Sequence, residues 1–174
     1  GALRYFDRNR WQMDDGVSAV ELGDEEAVRI ARRFVTQAEL APGQFKTYKV
    51  TRLRVGTMER DGAATPERVI DVGVVFQRYV DQLPVDGPGG KIMVYIDHQG
   101  SITGCDRVWR ELGAVHRELP PEQIRRIAAA EEDLRLYWGR LTHARIEVQE
   151  MRFGYFEYGW RDAQRYLQPA YVMP

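Results

Sequence analysis

The chain has 174 residues, long enough for one large domain or two small ones with a proper core. Its hydrophobic fraction of 44% and charged fraction of 29% are those of a globular protein, and a formal charge of −1 argues against nucleic-acid binding. The lone Cys105 excludes an internal disulfide framework and a cysteine-based metal cluster.

Residues 1–23 read as a lead-in. The start Gly1-Ala2-Leu3 lacks an initiating Met and a charged-then-apolar leader, as in a processed or trimmed chain. Leu3, Tyr5, Phe6 and Trp11 are apolar enough to dock on a body, and Asp14-Asp15-Gly16 marks a turn. A helix is then predicted from Asp24 to Ala38. Asp24 serves as N-cap, Glu25 and Glu26 complement the helix dipole, and Ala27, Val28, Ile30, Ala31, Phe34, Val35 and Ala38 form one apolar face. Pro42-Gly43 ends that segment.

Four strands follow: Phe45–Val55, Arg68–Val80, Lys91–Asp97 and Ile102–Trp109, with a loop at 59–67 and a tight turn at His98-Gln99-Gly100. In Arg68–Val80, Ile70, Val72, Val74 and Phe76 share one face, while Asp71, Gln77 and Tyr79 take the other. Between the second and third strands lies Leu83-Pro84-Val85 and then Gly87, Pro88, Gly89 and Gly90. Proline cannot donate to a ladder and glycine accepts unusual backbone angles, so this stretch is read as a hinge. One helix followed by antiparallel strands is an α+β pattern.

The order then repeats. A second helix opens near Pro120-Pro121, with Ile124, Ile127, Ala128 and Leu134 on its apolar side, and closes at Gly139. Ala144–Met151 and Phe153–Trp160 read as strands, and Leu167–Val172 repeats the proline-broken apolar step. Two copies of one unit are expected, the second incomplete: a lead-in at 1–23, a first unit at 24–117 and a second at 118–174.

Phe76-Gln77-Arg78-Tyr79, the step into Leu83-Pro84-Val85, a glycine, and a strand ending Asp97-His98-Gln99-Gly100 resemble the core of PepSY and FTP modules, found in propeptides of secreted metallopeptidases. The alanine-spaced first helix matches that family's leading helix; Gly154-Tyr155 and Pro169-Ala170-Tyr171-Val172 resemble the module more loosely. The resemblance implies tandem cystatin-like units, each a helix on an antiparallel sheet. It also implies extracytoplasmic or secreted work without catalysis: inhibiting or chaperoning a peptidase, or acting as an adaptor. No peptidase and no HExxH follow within the chain, so such a module would act in trans or has been separated from its continuation.

Signals for chemistry are sparse. His98, His116 and His143 share no i,i+4 spacing, Ser18 and Ser101 lie in no G-x-S-x-G elbow, and Gly87–Gly90 lacks the Lys-Ser/Thr of a phosphate loop. Glu131-Glu132-Asp133 reads as a solvated helix face. No catalytic residue, cofactor or metal site is assigned. Cys105 is read as a structural, half-buried thiol.

The rings of 153–171 carry the binding expectation, because Tyr, Trp and Arg dominate interface hot spots. A protein partner is expected at Tyr79, Leu83, Pro84, Val85, Tyr155, Tyr158, Trp160, Tyr166 and Tyr171, with an open sheet edge in the second unit able to accept a strand. A competing reading places Asp97, His98 or His116 in a helix–sheet pocket of a cystatin- or NTF2-like ligand binder or enzyme. A third makes the chain a structural segment of a secreted or cell-surface assembly.

Overall fold

Helix α1 (Asp24–Gln37) shows how this sequence makes its core. Ala27, Ala31 and Val35 are fully buried on one side of it, and their small size lets the helix lie close to a sheet. The partners are Val72, Val74 and Phe76 of one strand, Ile92, Val94 and Ile96 of the next, then Cys105 and Trp109. Each fully buried Val, Ile or Phe side chain here contributes about 1.5–3 kcal/mol relative to exposure. Phe45 meets Phe76 edge to face at 5.3 Å, and Arg32 covers both rings at 5.0 and 5.4 Å.

The computed structural model describes residues 1–10, 18–58, 62, 66–115, 117–141 and 147–173. Besides α1, it contains β1 (Ala2–Phe6), β2 (Gln44–Val55), β3 (Arg68–Val80), β4 (Leu83–Asp86), β5 (Lys91–Ile96), β6 (Ile102–Val108), α2 (Ile127–Leu141), β7 (Arg152–Phe156) and β8 (Gln168–Val172). The fold is α+β, two helices with a mixed sheet. Along the sheet the order is β1-β6-β5-β3-β4-β7-β8, and β2 pairs with β3. All pairs are antiparallel except β4–β7.

Several expectations change in detail. Gly23, not Asp24, is the N-cap; Asp24 is the first helical residue and pairs with Arg52. The helix stops before Pro42 because Glu39 turns left-handed at φ 51°. The lead-in docks as an edge strand, with Ala2↔Val108 and Phe6↔Gly104, while Trp11 and the turn at 14–16 lie outside the described residues. Asp71 and Gln77, on the other face of β3, are both buried. Asp71 accepts the Ile96 N–H at 3.1 Å and the Thr103 hydroxyl at 3.0 Å beside an irregularity between Tyr95 and Ile96; Gln77 lies under β4.

The second half differs more. The second helix begins at Ile127, after a short turn at Pro121–Gln123, and runs past Gly139 to Leu141. Residues 147–151 form no strand, and 144–146 lie outside the described residues. No clear tandem cystatin-like duplication is evident. Strands β7 and β8 form a two-stranded hairpin, too small for a core of its own. The hairpin joins the first sheet through β4, and α2 leaves Ile127, Leu136, Tyr137 and Trp138 exposed.

The stretch 83–90 is a docking ledge rather than a hinge. Asp81 and Gln82, at φ 48° and 68°, make a two-residue turn, and β4 pairs back on β3 through Pro84↔Tyr79. The chain then leaves β3 and returns at Gly90, whose carbonyl accepts the Arg78 N–H at 2.8 Å. The excursion makes room for residue 157. A Cβ on Gly87 would lie 2.5 Å from the Glu157 carbonyl oxygen, and one on Gly89 2.5 Å from both Glu157 Cγ and the Tyr158 carbonyl oxygen. Gly89 N–H donates to the Glu157 carbonyl, and Glu157 N–H to the Asp86 carbonyl, each at 2.9 Å.

Candidate functional site

Two polar clips hold the β7–β8 hairpin to the body. In the first, Glu157 is fully buried and meets the Arg78 guanidinium at 3.5 Å and that of Arg110 at 3.2 Å. Arg78 lies 5.0 Å over the Trp109 ring and donates to the Arg110 carbonyl at 2.7 Å. Burial lowers the Arg78 pKa below the usual guanidinium value, and the charge of Glu157 opposes that shift. Arg110 also donates to the Tyr158, Gly159 and Asp162 carbonyls at 2.6–2.8 Å, ordering the loop after β7. In the second clip, Arg152 grips the Asp86 carboxylate with two bonds of 2.9 and 3.2 Å, while Gln77 donates to the same carboxylate at 2.8 Å.

The clipped hairpin walls a groove of about 910 Å³ on the sheet face opposite α1. Val75, Met93 and Tyr95 contribute to it from β3 and β5; Phe156, Trp160 and Val172 contribute from the hairpin region. Arg4 and Asp106 pair at 2.6 Å at one end. At the other end stand Tyr48, Lys49, Lys91 and the Asp86–Arg152 pair. Tyr48 reaches the groove because β2 bulges there. Thr47 pairs with Phe76 and Lys49 with Val75, leaving Tyr48 as the extra residue that a bulge re-aims.

No family model, curated protein or solved structure matches this chain.

The site is therefore characterised by its own chemistry. Burial pushes Lys91 down from 10.5 to about 8, against the pull of Asp86 and Glu157 and with the help of Arg152. Between about pH 8 and 10.5 the unfolded chain holds more protons than the folded one, so stability rises with pH across that window. Lys91 is partly exposed, so screening trims the expected gain to about 1–2 kcal/mol. Urea midpoints of the wild type and Lys91→Met at about pH 7 and about pH 10 should show that gain in the wild type alone; parallel curves would contradict it. Burial and Asp106 push the Tyr95 phenol up to about 12, so its contribution is present below pH 10 and lost as pH rises toward 12.

The sequence-predicted contacts fall into three groups. Trp160 lines the groove and is 57% exposed; Tyr158 and Tyr166 are also exposed on the loop that Arg110 orders. Tyr155 and Tyr171 are half-buried on the hairpin, and the Tyr171 hydroxyl donates to the Arg125 carbonyl at 2.6 Å. Tyr79, Leu83 and Pro84 are half-buried and Val85 is fully buried, with β7 laid along this bend. That bend is thus occupied by the chain's own strand. The outer edge of β8 has no strand partner among the described residues.

Asp97 caps its turn by accepting the Gln99 and Ser101 N–H groups at 2.9 and 2.8 Å, and His98 is exposed on that turn. His116 and His143 lie outside the described residues. Glu131, Glu132 and Asp133 are solvated on α2. Among the described residues, no group of three or more His, Cys, Asp or Glu side chains is placed to hold a metal ion. No helix among them is long and apolar enough to cross a membrane. Cys105 is fully rather than half buried, and burial pushes its thiol up to about 11. A disulfide reagent should leave it unmodified until the protein unfolds; rapid labelling of the native chain would contradict that.

Sequence reasoning missed Glu157, Arg78, Arg110, Asp86, Arg152, Lys91 and Tyr48. Two signals were present. The chain has only three lysines, and an acid, Glu157, stands inside an aromatic run.

Proposed function

We propose that this chain is a non-catalytic, extracytoplasmic protein-binding module, with the groove on its open sheet face as the contact surface. Its partner is a secreted peptidase that it inhibits or chaperones, or another extracytoplasmic protein for which it is an adaptor. One observation carries this reading: the helix–sheet interior is filled, whereas the opposite face is hollow and bordered by exposed aromatic rings. Among the described residues the side chains between α1 and the sheet are closely packed, which favours the open sheet face over a helix–sheet pocket as the contact surface. An apolar floor with a polar rim suits a protein contact, and Trp160 and Tyr158 are residue types that dominate such contacts. The α1 body with its antiparallel strands supports the cystatin-like part of the PepSY resemblance.

The test is capture from the secreted and envelope fraction of the source cells with wild-type bait and with Trp160→Ala, followed by a peptidase assay with and without the chain. Capture of a peptidase whose activity changes, reduced at least tenfold in the variant, is the expected result. Capture of a protein that Trp160→Ala does not weaken would remove the groove as the contact surface. A partner that is not a peptidase would leave the adaptor reading and discard the inhibitor.

A further inference from the structure

Resting on that groove-binding reading, we propose that the Tyr48 end of the groove recognises a carboxylate, and that its ligand is the free C-terminus of an extended peptide with apolar last residues. The ammonium groups of Lys49 and Lys91 lie 5.8 and 5.6 Å from the centre of the same Tyr48 ring. Arg152 lines the same end of the groove as Tyr48. Two ammonium groups thus converge on one ring, with a third cation at the same end of the groove. The acid at this end, Asp86, is already engaged by both Arg152 nitrogens and by Gln77.

Neither lysine forms an ion pair among the described residues: Asp86 and Glu157 act on Lys91 only at longer range and are paired with arginines, so two ammonium groups at this end lack a carboxylate in contact. Lys91 spends one N–H on the Val85 carbonyl at 2.8 Å and keeps two to donate. A half-buried ammonium with spare donors is under-solvated, and burial already disfavours its charge. A carboxylate restores both the counter-charge and the hydrogen bonds.

The rest of the groove selects the chain behind that carboxylate. Val75 and Met93 carry an apolar floor away from the lysines toward Phe156 and Trp160. The groove is open, a sheet face with a wall at the hairpin, so a fatty tail would keep one side in water. An extended peptide would turn alternate side chains to the floor and the ones between to water, with its polar backbone left solvated along the open side.

The experiment uses the full chain and three probes: a pool of N-acetylated tetrapeptides with apolar last residues as free acids, the same pool as carboxamides, and decanoate. Amide shifts of Val75, Met93 and Tyr95 report occupancy. The free acids should shift these amides, the carboxamides should bind about tenfold more weakly or worse, and Lys91→Met should remove the difference. Lys49→Met, at an exposed position, should reduce it in the same direction and covers the case in which the Lys91 variant fails to fold.

Equal binding of acids and amides would overturn the carboxylate site while leaving the groove as a peptide-binding surface. Tighter binding of decanoate than of the peptides would overturn the choice of a chain terminus. If no probe shifts the groove, terminus recognition fails; capture that still depends on Trp160 would then preserve the groove reading.

Discussion

Glu157→Ala should release the β7–β8 hairpin from the body, at a cost of about 3–5 kcal/mol to its docking. The substitution leaves Arg78 buried with its counter-charge gone, and it deletes the acceptor of the Arg110 N–H at 3.2 Å. Arg110 is less affected, because three loop carbonyls still accept its guanidinium. The effect should be local. Gly89 and Glu157 amides should lose protection from hydrogen exchange, while Val72–Phe76, beneath α1, should keep theirs. Replacing both charges, as in Arg78→Met with Glu157→Leu, should recover most of the loss, to within about 1–2 kcal/mol of the wild type, since no buried charge is orphaned. Unchanged protection in Glu157→Ala would show that the triad is not what holds the hairpin. Because the hairpin carries Arg152 and Phe156 on β7 and Trp160 in its loop, the same variant should also lose partner capture.

Trp109→Ala should cost about 3–5 kcal/mol and lower the stability of the whole body. Trp109 is fully buried, packs in the α1 core and supports the Arg78 guanidinium at 5.0 Å. Its indole N–H has no hydrogen-bond partner among the described residues, an unmet donor inside the core. Trp109→Phe shrinks the ring but also removes that donor, so its cost should stay below about 1.5 kcal/mol. Denaturant midpoints with slopes of the two variants check this. Equal losses would mean that an indole feature lost in both variants, and not the volume filled, decides the position.

The contrast between the two sites explains what was legible in the sequence. Helix α1 and strands β2, β3, β5 and β6 end within a residue or two of their expected limits, because each carries a periodic apolar face that buries against the others. The attachment of β7 to β4 leaves no such periodic trace. It rests on two residue pairs, Val85↔Tyr155 and Asp86↔Phe156, and on ion pairs between residues as distant as Arg78 and Glu157.

The glycines at 87–90 were visible, but their purpose was tertiary: they clear space for a residue from the other end of the chain. Tyr48 was hidden for a different reason. A bulge places it outside the alternation that would assign its face. Among the expected contact residues, Trp160 reaches the groove, because exposed rings at a loop are a local property. Val85 does not, because a neighbouring strand buries it.

The most direct test is site-specific photo-crosslinking in the secreted and envelope fraction, with the photoreactive residue at Met93, at Trp160 or at Arg33 on the exposed side of α1. Adducts of one and the same protein from Met93 and Trp160, and none from Arg33, are the result expected if the open sheet face is the binding surface. Adducts from Arg33 with none from the groove positions would contradict it.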